Sequence, residues 1–186
     1  MASFSIDSFT SKLKAGGALA SLFEAELTLS RGTEASSSVQ DFKFLCKATT
    51  LPGDTIDVAT VTYMGRGINV PSNRAAVQWT TTVYNDEGME IRNNIESWME
   101  QLNSHKTNVR ASAMTQIQSY TGTLKVKTFG KASGTNRFLK TYEFMDAWPS
   151  AVGEITVDWE TNDIQTYDVT WEFAYWRSVK SAVGLG

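Results

Sequence analysis

Apolar and polar residues alternate with a period of two along most of this chain, most clearly between Asp146 and Trp176. Tyr167, Val169, Trp171, Phe173 and Tyr175 fall on one side, and Asp168, Thr170 and Glu172 on the other. Alternation of β-branched and aromatic residues with polar ones predicts a half-buried strand. Just upstream, Ile155, Val157 and Trp159 alternate with Glu154, Thr156 and Asp158, and Glu160–Asp163 reads as a polar turn. The two runs predict a long antiparallel hairpin whose apolar face needs a second layer. Further strands are predicted over 22–29, 42–50, 56–63, 67–70, 76–84, 120–129 and 138–146, the last ended by Trp148-Pro149. In the strand over 42–50, Phe42, Phe44 and Cys46 point the same way. One segment changes period. Ile91, Ile95, Trp98 and Leu102 recur at helical spacing, and Asn85-Asp86-Glu87 precedes them as a capping signal, so a helix is expected from about Asp86 to Asn103. The expected fold is α+β, mainly antiparallel β. It is a two-sheet sandwich or partly closed barrel with one flanking helix and extended arms and loops.

Composition narrows the class. The 186 residues suit one domain, with residues 1–20 as an N-terminal arm, 22–176 as the core and 177–186 as a flexible tail. Hydrophobic residues at 41% and charged residues at 20% are those of an ordinary globular protein. No apolar run approaches the ~20 residues that span a bilayer, and the first residues lack the basic start and apolar core of a secretory signal. The expected place of work is therefore the cytoplasm in which the chain is made. Seventeen basic against twenty acidic residues give a net charge of −3. With no Lys/Arg cluster, tight nucleic-acid binding is disfavoured, although passage of nucleic acid that does not adhere is compatible with it.

Candidate chemistry is sparse. A single cysteine, Cys46, and a single histidine, His105, exclude an intrachain disulfide and the common zinc sets. Cys46 reads as a small buried hydrophobe and His105 as a solvated loop residue. Glu154, Asp158, Glu160 and Asp163 are the one concentration of carboxylates, but they alternate with core positions and fill a turn, as a solvated strand face does. Neither Met64–Gly67 nor Gly130–Gly134 matches a phosphate loop, and no nucleophile elbow is present. No enzyme, metal or cofactor is expected. Six tryptophans and six tyrosines imply a large aromatic core. Open sheets also leave edges that a closed symmetric ring would pair.

Several strings identify a family. CKATTLPGDTI (46–56), VTYMGR (61–66), WTTTVYNDE (79–87), RNNIESWMEQLN (92–103) and the run 142–176 through Ala147-Trp148-Pro149 resemble, in order, the tail tube proteins of contractile-tailed phages. The resemblance implies a β-sandwich subunit, similar in architecture to type VI secretion tube proteins, that forms hexameric rings stacked into a hollow tube. Its implied partners are other copies of itself, a tail sheath, baseplate or initiator and tail-terminator proteins, and a tape-measure protein in the lumen. DNA would pass through that lumen, for which an excess of Asp and Glu is expected, in a virion tail assembled in the host cytoplasm. By the same resemblance Leu51, Pro52, Gly53, Asp54, Tyr63, Arg66, Asn69 and Pro71 are expected at contacts between subunits or rings, with an ordinary surface cation as the alternative for Arg66. Two other readings stand beside this one. One is a tube of a related injection system such as a tailocin. The other is a monomeric β-barrel that binds a small apolar ligand.

Overall fold

The computed structural model describes residues 6–13, 17–28, 38–75, 77–131 and 138–180. One long strand, β7 (Phe138–Val152), belongs to both layers of the fold. Its first half pairs antiparallel with β6 (Gly122–Phe129) and β9 (Tyr175–Lys180), and β6 pairs in turn with β1 (Phe23–Thr28). At Asp146 the backbone enters the left-handed region with φ of 54°, a conformation that Asp tolerates better than bulkier side chains do. Beyond this corner Trp148–Val152 pair with β8 (Thr166–Glu172), β8 with β5 (Trp79–Tyr84), and β5 with β2 (Cys46–Thr49). The product is an antiparallel sandwich, β1-β6-β7-β9 over β7-β8-β5-β2, not closed into a barrel.

The alternation seen in the sequence fills the space between the layers. Ala25, Leu27, Leu124, Val126 and Phe144 come from one layer and Trp79, Val83, Val169 and Trp171 from the other, all buried in one cluster. Trp79 stacks on Phe144 with ring centroids 4.5 Å apart. Helix α3 (Glu90–Leu102) adds Ile91, Ile95 and Trp98, and Trp98 meets Trp171 at 6.1 Å. Each buried indole N–H donates to oxygen: Trp79 to Thr50 O at 2.7 Å, Trp98 to Tyr120 O at 2.9 Å and Trp171 to Thr81 Oγ1 at 3.0 Å. Burying tryptophan without such acceptors would leave its one polar atom unsatisfied. The interior is thus occupied by side chains.

Several expectations give way. Residues 38–45 form a helix, α2, and only Cys46–Thr49 form a strand. In place of an alternating strand face, Phe42 is buried against Trp171 while Phe44 is exposed. The helix before these strands, α1 (Ile6–Lys12), buries nothing. Helix α3 begins four residues later than Asp86. Its N-cap is Met89 at φ 50°, with no side-chain cap, so the Asn85–Glu87 capping signal is not used. After it come a 3₁₀ turn at Ser112–Met114 and a short helix, α4 (Ile117–Tyr120), where the sequence predicted no helix, so α3 is one of four α-helices among the described residues.

Strand β7 does not stop at Trp148-Pro149. Pro149 sits opposite Trp171 beside an irregularity in the ladder, where a missing N–H is tolerated. The long hairpin predicted from Glu154 to Trp176 does not form. Gly153 donates to Asp168 O at 2.7 Å, and a Cβ there would lie 3.1 Å from that same oxygen. After this close approach residues 153–165 leave the sheet, and the chain returns only at β8. Arg177 to Lys180, expected in a flexible tail, continue β9; residues 181–186 and 132–137 lie outside the described part.

Candidate assembly surfaces

Strands β3 (Ile56–Tyr63) and β4 (Arg66–Arg74) form a separate two-stranded hairpin. Every residue in both strands is exposed, and none belongs to the core or packs on it. The connecting residues Met64 and Gly65 both have positive φ, 46° and 77°, as the mirror-image turns of tight hairpins require. Glycine adopts that conformation freely, whereas Met64 does so at a cost of about 1 kcal/mol. At the root, Ala75 N–H donates to Thr55 O at 3.0 Å and Arg74 pairs with Asp54.

Residues directly opposite in an antiparallel pair share a face, so the register sorts the hairpin into two surfaces. Ala59 faces Val70, Val61 faces Ile68 and Tyr63 faces Arg66. That surface is apolar and ends in an aromatic ring beside a cation. The opposite surface carries Val58 against Pro71, Thr60 against Asn69 and Thr62 against Gly67, with Thr60 Oγ1 donating to Asn69 Oδ1 at 2.9 Å. The sequence-expected contact residues therefore divide. Tyr63 and Arg66 lie together on the apolar surface, Asn69 and Pro71 on the polar one, Asp54 is engaged at the root, and Leu51, Pro52 and Gly53 form the coil leading to it. The Arg66 side chain takes part in no ion pair or hydrogen bond among the described residues.

Residues 156–164 form the second bare surface, anchored by Ile155, which packs on the core. Val157, Ile164 and Trp159 are exposed, Trp159 completely at 103%. Glu154, Asp158, Glu160 and Asp163 stand among them with no Lys or Arg in the segment. Sequence periodicity missed this surface because the alternation over 154–159 matches a strand's; the overlooked signal is Gly153 at its start.

The outer face of the β1-β6-β7-β9 layer is organised by charge. Glu24 faces Lys127, Glu26 faces Lys125 and Lys125 faces Glu143, which faces Arg177. Lys127 pairs with Glu26 and lies 3.7 Å from Glu24; Lys125 is 3.2 Å and Arg177 2.6 Å from Glu143. Three carboxylates thus meet three cations. The hydrogen bond from Arg177, then Lys125, outweighs desolvation and holds the Glu143 carboxyl below its ordinary range. Burial and the neighbouring Glu26 raise Glu24. Burial pushes Glu26 up, but the hydrogen bonds from Lys127 and Glu24 and the charges of Lys127 and Lys125 together outweigh it and leave Glu26 lowered. In this layer β1 and β9, and in the other β2, pair on one side only among the described residues.

The groups that could have carried chemistry lie apart. Cys46 is buried, and desolvation pushes its thiol up to about 12, which keeps it protonated. His105 is exposed, 3.6 Å from Glu100. Among the described residues no group of three or more His, Cys, Asp or Glu is placed to hold a metal, and no helix is long and apolar enough to cross a membrane.

An open-edged sandwich with a bare apolar hairpin belongs to the class of structural subunits that are completed by other protein surfaces. Residues 10–179 match the family model for phage tail tube proteins, and the chain belongs to that family. It is 32% identical to the tail tube protein gp19 of Enterobacteria phage T4 over 139 residues, covering 74% of this chain and 82% of that protein. The corresponding protein of Enterobacteria phage T6 matches to the same extent. Among solved structures, a chain of the sheath–tube complex of the PVC extracellular contractile injection system superposes with TM-score 0.62 at 13% identity, over 92% of this chain and 97% of that one. A chain of the anti-feeding prophage baseplate gives TM-score 0.65 at 10% identity, over 89% and 97%. At these identities the superpositions establish a shared fold. The expected sandwich and the tail-tube resemblance both hold: this is a tail tube protein of the family found in contractile-tailed phages.

Proposed function

We propose that six copies of this chain form a ring, that rings stack into a tube inside a contractile sheath, and that DNA passes along the lumen without adhering. The role is structural, with no catalytic step. The observation that carries the reading is the β3–β4 hairpin, two strands of 8 and 9 residues with an apolar face that the chain itself leaves in water. A two-stranded hairpin is marginally stable alone, so a surface of this kind is completed on another molecule. The single-sided pairing of β1 and β9 supports lateral joining within the ring. The family and the superposed chains, taken from a sheath–tube complex and a baseplate, support assembly with sheath and baseplate proteins. Terminator and tape-measure partners, and assembly in host cytoplasm, follow from the same reading.

The layer β1-β6-β7-β9 is the proposed lumen wall. Lys125, Lys127 and Arg177 on its outer face are already engaged by carboxylates, so they gain little by exchanging them for phosphate. This replaces an acidic lining with a neutral, internally paired one. Negative-stain electron microscopy of the purified chain tests the proposal. Six-fold rings or hollow tubes are expected; a monodisperse solution of single chains at every salt and protein concentration would overturn it.

A further inference from the structure

The self-assembly reading leaves open what receives the hairpin. We propose that the tip of the hairpin of one copy, Tyr63–Arg66, docks into the acidic concavity of residues 153–165 on another copy. The inference rests on the proposed assembly and specifies one of its contacts.

Both surfaces are bare within the chain, and their chemistry is opposite. The tip presents Tyr63, Met64 and the unpaired guanidinium of Arg66. Met64 is 89% exposed in a left-handed turn position where Asn or Gly would be less strained. An apolar side chain held there at a conformational cost points to contact with another surface. The receiving segment encloses an open concavity of about 330 Å³, lined among others by Glu154, Asp158, Asp163, Val157 and Ile164. None of the four carboxylates between 154 and 163 forms an ion pair among the described residues. A guanidinium entering that concavity would be held by charge-assisted hydrogen bonds. Val157 and Ile164 offer apolar area to Met64 and Tyr63. Trp159, next in sequence to the lining residue Asp158 and wholly exposed, is of a residue type enriched at the centres of interfaces.

Charge exchange tests this contact. Arg66→Glu is expected to raise the protein concentration at which tubes appear by about tenfold or more, as loss of one buried interfacial charge pair does. Glu154→Lys with Asp163→Lys in one chain is expected to do the same. Combining all three substitutions restores the pairing with inverted sign, and tubes return near the wild-type concentration. Circular dichroism and size-exclusion of each variant check that the subunit is folded. Wild-type-like assembly of Arg66→Glu, or a triple variant no better than Arg66→Glu alone, would overturn the inference while leaving self-assembly intact. Failure of the wild-type chain itself to form rings or tubes would overturn the assembly reading, and this contact with it.

Discussion

Thr81 shows how much one hydroxyl decides in this core. It is fully buried among apolar neighbours and accepts the indole N–H of Trp171. Replacing it with valine preserves shape and leaves that N–H without an acceptor. Thr81→Val is expected to cost about 1–3 kcal/mol, measured as a lower urea midpoint with unchanged slope. The adjacent Thr80 is exposed on the opposite face, so Thr80→Val is expected to change stability by no more than about 0.5 kcal/mol. Residues of this kind were legible as strand positions from alternation alone. Their partners were not, because the hydrogen bond joins positions 90 apart in sequence.

Among the elements, the hairpin stands out by its independence. Thr55 and Ala75 are already joined by a backbone hydrogen bond at its root, and none of the hairpin residues touches the core. Replacing Ile56–Arg74 by two glycines is therefore expected to leave the subunit folded, with stability changed by about 1 kcal/mol or less, since an exposed ion pair contributes little. Tubes should vanish from electron micrographs of the same preparation. A folded variant that still builds full-length tubes would remove the hairpin from assembly. The sequence read β3 and β4 as extended segments, and the identity of the connecting turn fixed their pairing. It read β7 too short, and residues 154–159 as a strand closed by a turn at 160–163, for related reasons. Pro149 survives inside a strand only because the ladder is irregular beside it, and the approach of Gly153 to Asp168 ends pairing before Ile155 can join. Both are properties of a neighbour that local periodicity does not contain.

For the whole molecule, the paired charges of the β1-β6-β7-β9 face bear on conduction. Substituting Glu24→Gln and Glu26→Gln together removes both carboxylates that hold Lys127. If this face lines the lumen, the altered tubes are expected to retain short DNA duplexes at low salt and release them as salt rises, whereas wild-type tubes retain little at either. Co-sedimentation of labelled duplex with preformed tubes measures this. Equal retention by both tubes would place another surface at the lumen. Net charge alone suggested a channel that repels DNA. On the proposed lumen face the strand register offers a second means of avoiding adhesion, in which Lys125, Lys127 and Arg177 are each taken by a carboxylate across the ladder.

The sequence by itself determined the antiparallel sandwich, the apolar face of α3 and the family, since each depends on local period or on short strings of residues. Tertiary structure decided where β7 turns between layers, which residues of the hairpin share its apolar face, and that the segment between Gly153 and Gln165 leaves strand pairing and exposes Val157, Trp159 and Ile164. These outcomes depend on which distant strand supplies the neighbour. Side-chain alternation defines two faces of a strand, but only pairing and layer contact decide which face is covered.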